Sequence, residues 1–538
     1  MRHRCQTFIL PILGLFVGPV LADEDPTLAA LEARQAVIGE ITLQKAHVFD
    51  LSNPEEDRWL FRQANRFHID TRDTTIFKNL LFRPGDIISK RLLDESERIL
   101  RNKKYIYDAD IKALPGEDGK VDVVVHTRDV WSLAPELSIS RSGGETRTRI
   151  GLEETNLLGR GQALRVVRDN DIERSENTIE FSDSHLGRSW VSALLRFSEN
   201  SDGDSHLVAA ARPFYALDTR WSAGGSFLGD DRRTPLYAFG EEAAEFRKKK
   251  DYASLYGGWS HGLRDGRVWR WTAGLVHDKN RFSPVQNPTL PQAIPENREL
   301  VYPFLAFERI EDDYVTISNR DQMSKTEDFR MGLRVSGSLG WSDEAFGSDR
   351  DALLFRASAS RGLGALEKTA LLLSVTGDGR LESGHMRNSK VSINARYYHR
   401  QSDKFLFFAL LDGTAGHALD LDNPVAIGGK SGLRGYPLRY QVGDSRLLAT
   451  IEQRYFTDWY PFRFARVGAA VFADAGRVWG PNPLGPDNRG WLADVGIGLR
   501  FALTRVSERV VHLDLAFPLN GDDSIDSVQF LLEARKTF

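Results

Sequence analysis

The chain has 538 residues, enough for two or more domains, with 41% hydrophobic and 27% charged residues and a formal net charge of −4. That mild acidity argues against a general nucleic-acid-binding role. Past the N-terminus no run of about 18 residues is continuously apolar, which excludes an inner-membrane helical protein. Average hydropathy does not separate a soluble protein from a membrane barrel, because barrel strands alternate lipid-facing and lumen-facing residues.

Residues 1–22 read as a secretory signal peptide. Arg2 and Arg4 are followed by an apolar run from Phe8 to Val20, then Val20-Leu21-Ala22 before Asp23. The run is short for a membrane span, and Pro11 interrupts it. Cleavage after Ala22 removes Cys5, the single cysteine, and takes the formal charge to about −6. No thiol is then left for a disulfide or a zinc site. Residues 23–35 read as an N-terminal linker.

Residues 36–131 read as a small α/β domain. Val37-Ile38-Gly39-Glu40-Ile41-Thr42-Leu43 alternates like a strand. The pattern predicts a helix over 54–67, with Asn53 as N-cap and Pro54 at the first position. It predicts a second helix over 90–103, capped by Ser89, with Leu92, Leu93, Ser96, Ile99 and Leu100 on one face. Strands over 105–114 and 121–127 come next, joined by the turn Pro115-Gly116-Glu117-Asp118-Gly119. The order β-α-α-β-β, with Phe82-Arg83-Pro84-Gly85-Asp86 before the second helix and Val121-Asp122-Val123-Val124-Val125 in the last strand, resembles a polypeptide-transport-associated (POTRA) domain. The resemblance implies a periplasmic module that receives extended chains at a sheet edge; a plain structural support for the barrel is the other reading.

Residues 132–538 read as an all-β outer-membrane barrel. Short alternating runs such as Ala163-Leu164-Arg165-Val166-Val167-Arg168 and Val510-Val511-His512-Leu513-Asp514-Leu515 are separated by turn residues, and about 20 strands are expected. Connectors alternate between tight, as at Leu217-Asp218-Thr219, and long, as over 279–300. Trp459-Tyr460-Pro461-Phe462 suits an interfacial girdle. In the last strand Val528, Phe530, Leu532 and Ala534 share a face with the terminal Phe538, an end that resembles a barrel-insertion signal, although Lys536 breaks its apolar face.

One loop stands out: Gly428-Gly429-Lys430-Ser431-Gly432-Leu433-Arg434-Gly435-Tyr436-Pro437. Its Gly-Lys-Ser is not a phosphate loop, because Pro424 stands where the first glycine is required and no strand-loop-helix surrounds it. The core Leu433-Arg434-Gly435-Tyr436, followed two strands later by Phe472-Ala473-Asp474-Ala475-Gly476, resembles the signature of the BamA/TamA superfamily of outer-membrane assembly and translocation proteins. The resemblance implies that the loop folds into the lumen and that Arg434 pairs with Asp474. Strand alternation independently puts Gly468, Ala470, Phe472 and Asp474 on the lumen face, with Val467, Ala469 and Val471 facing lipid. It also places Glu452 and Arg454 on the lumen face, where they would join the charges. Two departures stand against the resemblance. Well-known members have about sixteen strands, and this chain shows one POTRA-like unit where assembly factors usually carry several.

The expected function is assembly of outer-membrane proteins or translocation of polypeptides, with a seam opening between the last strand and the first, near 135–141. The alternative is a passive channel or solute transporter. The expected partners are the outer-membrane bilayer, unfolded or secreted polypeptide clients, and accessory proteins of the periplasm or outer membrane. The 12 histidines are scattered without the spacing of metal ligands or a catalytic triad, so no enzyme activity, cofactor or metal site is expected.

Overall fold

The computed structural model describes residues 28–535 except 287, 483, 485–487, 489, 506–509 and 524. The signal-peptide segment, Lys536 and Phe538 lie outside the described residues. The small domain comprises α1 (Leu28–Ala33), β1 (Ile38–Ala46), α2 (Trp59–Phe67), α3 (Asp73–Phe77), α4 (Lys90–Arg101), β2 (Ile106–Pro115) and β3 (Val121–Asp129). Its sheet runs β1-β3-β2, with β1 parallel to β3 and β2 antiparallel to it. Val121, Val123 and Val125 project from one face of β3 into a core shared with Ile38, Leu93 and Leu100, as a period of two requires.

Three sequence expectations need correction here. The segment read as a linker contains α1, whose Leu31 is buried in the domain core. The first predicted helix starts at Trp59 rather than at position 54. Asn53 takes the Glu55 amide on its side chain and the amides of Glu56 and Asp57 on its carbonyl, so 53–57 is a turn. Ser89 sits at the N-cap of α4 but makes no side-chain cap. Glu32 of α1 takes the Lys90 amide instead, at 2.5 Å, which puts a carboxylate at a helix N-terminus.

The rest of the chain closes into a 20-stranded antiparallel barrel, from Leu133–Ser142 to Gln529–Arg535. The number agrees with the sequence expectation of about 20 and exceeds that of well-known BamA/TamA members. Its outer face is apolar: Leu137, Ile150, Leu255 and Val471 are all exposed. Trp221, Trp259, Trp271 and Phe307 form one row in register near one rim. An apolar band with an aromatic edge is the surface that lipid requires.

Strand length is uneven. The strand Glu241–Arg264 has 24 residues, against about 9–11 for a membrane crossing. The long strands shorten a connector expected over 279–300 to residues 284–297, because Arg267–Ser283 and Arg298–Glu311 run into it. Trp190 lies just before the strand Ser192–Asn200 and stacks on Tyr215 at 4.0 Å. One residue departs from its expected place. Val467 is buried rather than lipid-facing, because the turn carrying Thr457 and Trp459 hydrogen-bonds over it.

The small domain sits across one mouth of the barrel. Arg505 reaches the Val48 carbonyl and Glu56, Thr75 bonds the Gly159 carbonyl, the Leu217 amide bonds Glu95, and Arg101 grips Asp328 through two hydrogen bonds at 2.9 and 2.7 Å. Asp328 belongs to a hairpin, Tyr314–Ser318 with Thr326–Arg330, inside the connector 312–333. The sequence reading did not single out this hairpin.

Candidate functional site

The motif loop, residues 418–444, hangs from a short ribbon in which Val425–Ile427 pairs with Gln441–Gly443. Positive φ at Gly428, Gly429, Gly432 and Leu433 turns the chain inward. A side chain at Gly428 would lie 2.2 Å from the Pro437 carbonyl oxygen. Leu433 is fully buried against Ile427, Leu448 and Val478, and the Tyr436 hydroxyl sits 2.8 Å from the carbonyls of Ala493 and Asn520.

These anchors aim Arg434 at the barrel wall. Its Nε donates to Asp474 Oδ2 at 2.7 Å, its Nη2 to Asp474 Oδ1 at 3.0 Å, and its Nη1 to Glu452 Oε1 at 2.9 Å. The guanidinium carbon lies 3.3 Å from the centroid of the Phe472 ring, which adds a cation–π contact. Thr450 donates to Asp474 Oδ1 at 2.7 Å, and Arg454 Nε donates to Glu452 Oε2 at 3.0 Å. The structure thus brings Arg434, Phe472, Asp474, Glu452 and Arg454 together. Gly476 lies beside them: a side chain there would meet Ile427 Cδ1 at 2.4 Å, so its bare backbone seats the loop. The other site residue singled out from the sequence, Phe538, lies outside the described residues.

Sequence reasoning missed the far wall of this cluster. Arg500 pairs with Asp514 and lies 3.9 Å from Glu452. Asp514 comes within 3.8 Å of Arg434, and Asp494 accepts the Gly435 amide at 3.0 Å. Strand alternation carried the signal: Asp494, Gly496, Gly498 and Arg500 occupy successive inward positions of one strand, and His512 and Asp514 those of the next. Small residues accompany the charges for a steric reason. A side chain at Gly498 would overlap Asp514 and Arg500, and one at Gly496 would overlap Phe472. Every charge here is buried, so three arginines and four carboxylates must meet one another rather than water.

The lumen is filled from the other rim as well. Arg320, at the tip of the 312–333 hairpin, accepts Arg454 Nη1 on its carbonyl at 2.9 Å. Asp321 takes Arg396 at 3.1 Å and the Tyr398 hydroxyl at 2.9 Å. Between loop and hairpin is a cavity of about 1100 Å³, lined by Arg434, Arg454, Asp474 and Arg396. It also touches Leu137 and Ile139 of the first strand, and Leu532 and Ala534 of the last. Among the described residues these two strands share one register pair, Leu532 with Arg141, whereas each pairs with its other neighbour along its whole length.

The sequence matches no known protein family, and no curated protein matches it. Among solved structures, the chain is similar to BamA from Haemophilus ducreyi lacking POTRA domains 1–3, at 13% identity and TM-score 0.39 over 92% of this chain and 84% of that one. It is similar to CdiB from Escherichia coli at 13% identity and TM-score 0.46, covering 93% and 76% of the two chains. For CdiB from Acinetobacter baumannii the values are 13%, 0.44, 93% and 73%.

Proposed function

We propose that this protein is an outer-membrane barrel that inserts or translocates polypeptides through its seam, without catalysing a covalent reaction. Among the described residues, the single register pair between the last strand and the first carries the reading. A closed barrel in lipid must satisfy its backbone groups by pairing; a seam sparsely paired among its described residues offers those groups to an incoming strand. The lumen cavity reaches the same seam.

The small domain faces the periplasm in this reading. Its sheet order leaves β1 and β2 as edges, and Thr42, Gln44 and Lys45 of β1 are exposed, so an extended client has a strand to add to. Unfolded or secreted polypeptides are the clients, and accessory proteins of either compartment are the further partners. A passive channel is the weaker reading, because the lumen is occupied from both rims.

The test is to lock the seam. Arg141→Cys with Leu532→Cys puts two thiols at directly paired positions, about 4.5–5.5 Å apart at Cβ. Oxidation should abolish surface delivery of the client, or lower outer-membrane protein levels in cells, and reductant should restore it. Full activity in the oxidised form would overturn the reading.

A further inference from the structure

Where the small domain meets the barrel, four side chains from separate segments converge. His47 comes just after β1, His68 and Asp70 lie between α2 and α3, and Asp129 ends β3. His68 Nε2 is 3.3 Å from Asp129 Oδ2 and 4.0 Å from Asp70 Oδ1. One ligand atom from each of these three residues lies within 4.8 Å of the others. His47 Nδ1 is 3.7 Å from the same Asp70 oxygen. A tetrahedral zinc ion with bonds of about 2.0–2.2 Å has ligand atoms separated by about 3.3–3.6 Å. The His68–Asp129 separation already equals such an edge and the His68–Asp70 separation is within a few tenths of an ångström of one, while His47 lies beside Asp70 and outside that group of three.

The second observation is a buried oxygen. The Asp129 side chain is 5% exposed and that of His68 2%. Asp129 Oδ2 is oriented by the Thr71 amide at 2.8 Å, but Oδ1 is buried with no hydrogen-bond partner among the described residues. A buried carboxylate oxygen calls for a partner. The hydrogen bond between His68 and Asp129 accounts for those two residues. It leaves Oδ1 unmet and gives no reason for Asp70 and His47 to gather beside them. A divalent cation chelated by both Asp129 oxygens would meet Oδ1 and draw in Asp70 and His47, and two neutral imidazoles and two carboxylates balance its charge. Two imidazole nitrogens select a borderline cation of the zinc class over calcium or magnesium.

We propose that His68, Asp70 and Asp129, with the exposed His47 side chain turning in from beside Asp70 as the fourth ligand, form a zinc-class metal site that fixes the small domain on the barrel. Residues adjoining the ligands already touch the barrel: Thr71 Oγ1 accepts Asn156 Nδ2 at 2.8 Å, and the Arg72 amide donates to the Gly159 carbonyl at 3.0 Å. Asp129 stands just before the first barrel strand, Leu133–Ser142. A bound ion would therefore join the ends of β1 and β3 to the segment seated on the barrel turn.

The experiment uses the untagged full chain in detergent, stripped with chelator and titrated with Zn²⁺ by calorimetry, with Co²⁺ as a spectroscopic probe. One equivalent of Zn²⁺ should bind, and one equivalent of Co²⁺ should give a tetrahedral visible spectrum that Zn²⁺ bleaches. His68→Ala and Asp129→Asn should abolish both signals, and the exposed His47→Ala should weaken binding about tenfold or more. His47→Ala keeps the test valid if the buried variants misfold, because its side chain is 61% exposed. Absence of stoichiometric binding, or binding that His47→Ala leaves unchanged, would overturn the proposal.

Discussion

Arg454 reaches from the lumen wall to the carbonyl of Arg320 at 2.9 Å, and so joins the charge cluster of the motif loop to the hairpin that fills the opposite end. Its Nε meanwhile holds Glu452, whose other oxygen holds Arg434. The continuous contact runs on through the hairpin to the small domain, where Arg101 grips Asp328 and the Tyr107 hydroxyl donates to the Ser324 carbonyl at 2.9 Å. Physical continuity alone does not establish energetic coupling. The prediction is that Arg454→Met speeds amide exchange across residues 312–333, whereas Arg101→Met, at the far side of the same hairpin, leaves the motif loop's exchange unchanged. Hydrogen-exchange mass spectrometry in detergent reads both. Unchanged exchange at 312–333 in Arg454→Met would show that the hairpin is held by its own packing.

The Arg434–Asp474 pair should behave as a unit. Removing one member strands a buried charge, a loss of about 3–5 kcal/mol for such pairs. Arg434→Ala and Asp474→Ala should each lower the temperature at which the barrel unfolds on a gel, and the double variant should be no worse than the poorer single. Effects that simply add would mean the two side chains contribute separately.

Much of this arrangement is legible in the sequence. Period-two alternation places Glu452, Arg454, Phe472 and Asp474 on the lumen face, and the glycines around Arg434 mark a loop bent in ways that side chains resist. The remainder depends on long-range contact. The hairpin over 312–333 looks like an ordinary connector until Arg320 and Asp321 find Leu366, Tyr398 and Arg396 across the lumen. Asn53 has the composition of a helix cap, yet its own carbonyl and side chain capture the next amides first. The four candidate metal ligands are spread from position 47 to 129, so no local spacing announces them; only the folding of β1 against β3 brings the segments together.

Gly476 offers a steric test of loop docking. Gly476→Val would press on Ile427 Cδ1, 2.4 Å from the added Cβ, and on the Leu447 carbonyl oxygen at 3.0 Å. Such overpacking costs about 1–3 kcal/mol. The expected result is easier proteolysis within 418–444 and a lower unfolding temperature. Ile427→Ala combined with Gly476→Val should recover part of both, since it empties the space the new side chain needs. No recovery would place the strain on the backbone oxygen instead.

Acidity should tighten the 312–333 hairpin. Glu327 accepts the amides of Arg320, Asp321 and Gln322 at 2.9, 3.0 and 3.1 Å. Burial outweighs those donors and pushes its carboxyl up from 4.5 to about 7. A carboxyl whose folded pKa is raised holds its proton longer in the docked state than in the released one. Docking is therefore strongest below about pH 4.5 and weakens as pH rises to about 7, where the buried group ionises. Amide exchange over 312–333, corrected for its intrinsic pH dependence, should show falling protection across that window. Glu327→Gln keeps one oxygen, enough for the Asp321 and Gln322 amides that share Oε2, and has no proton to lose, so its protection, lower overall, should stay flat with pH. A wild-type profile as flat as the variant's would assign the hairpin's docking to its other contacts, those of Arg320, Asp321, Ser324 and Asp328.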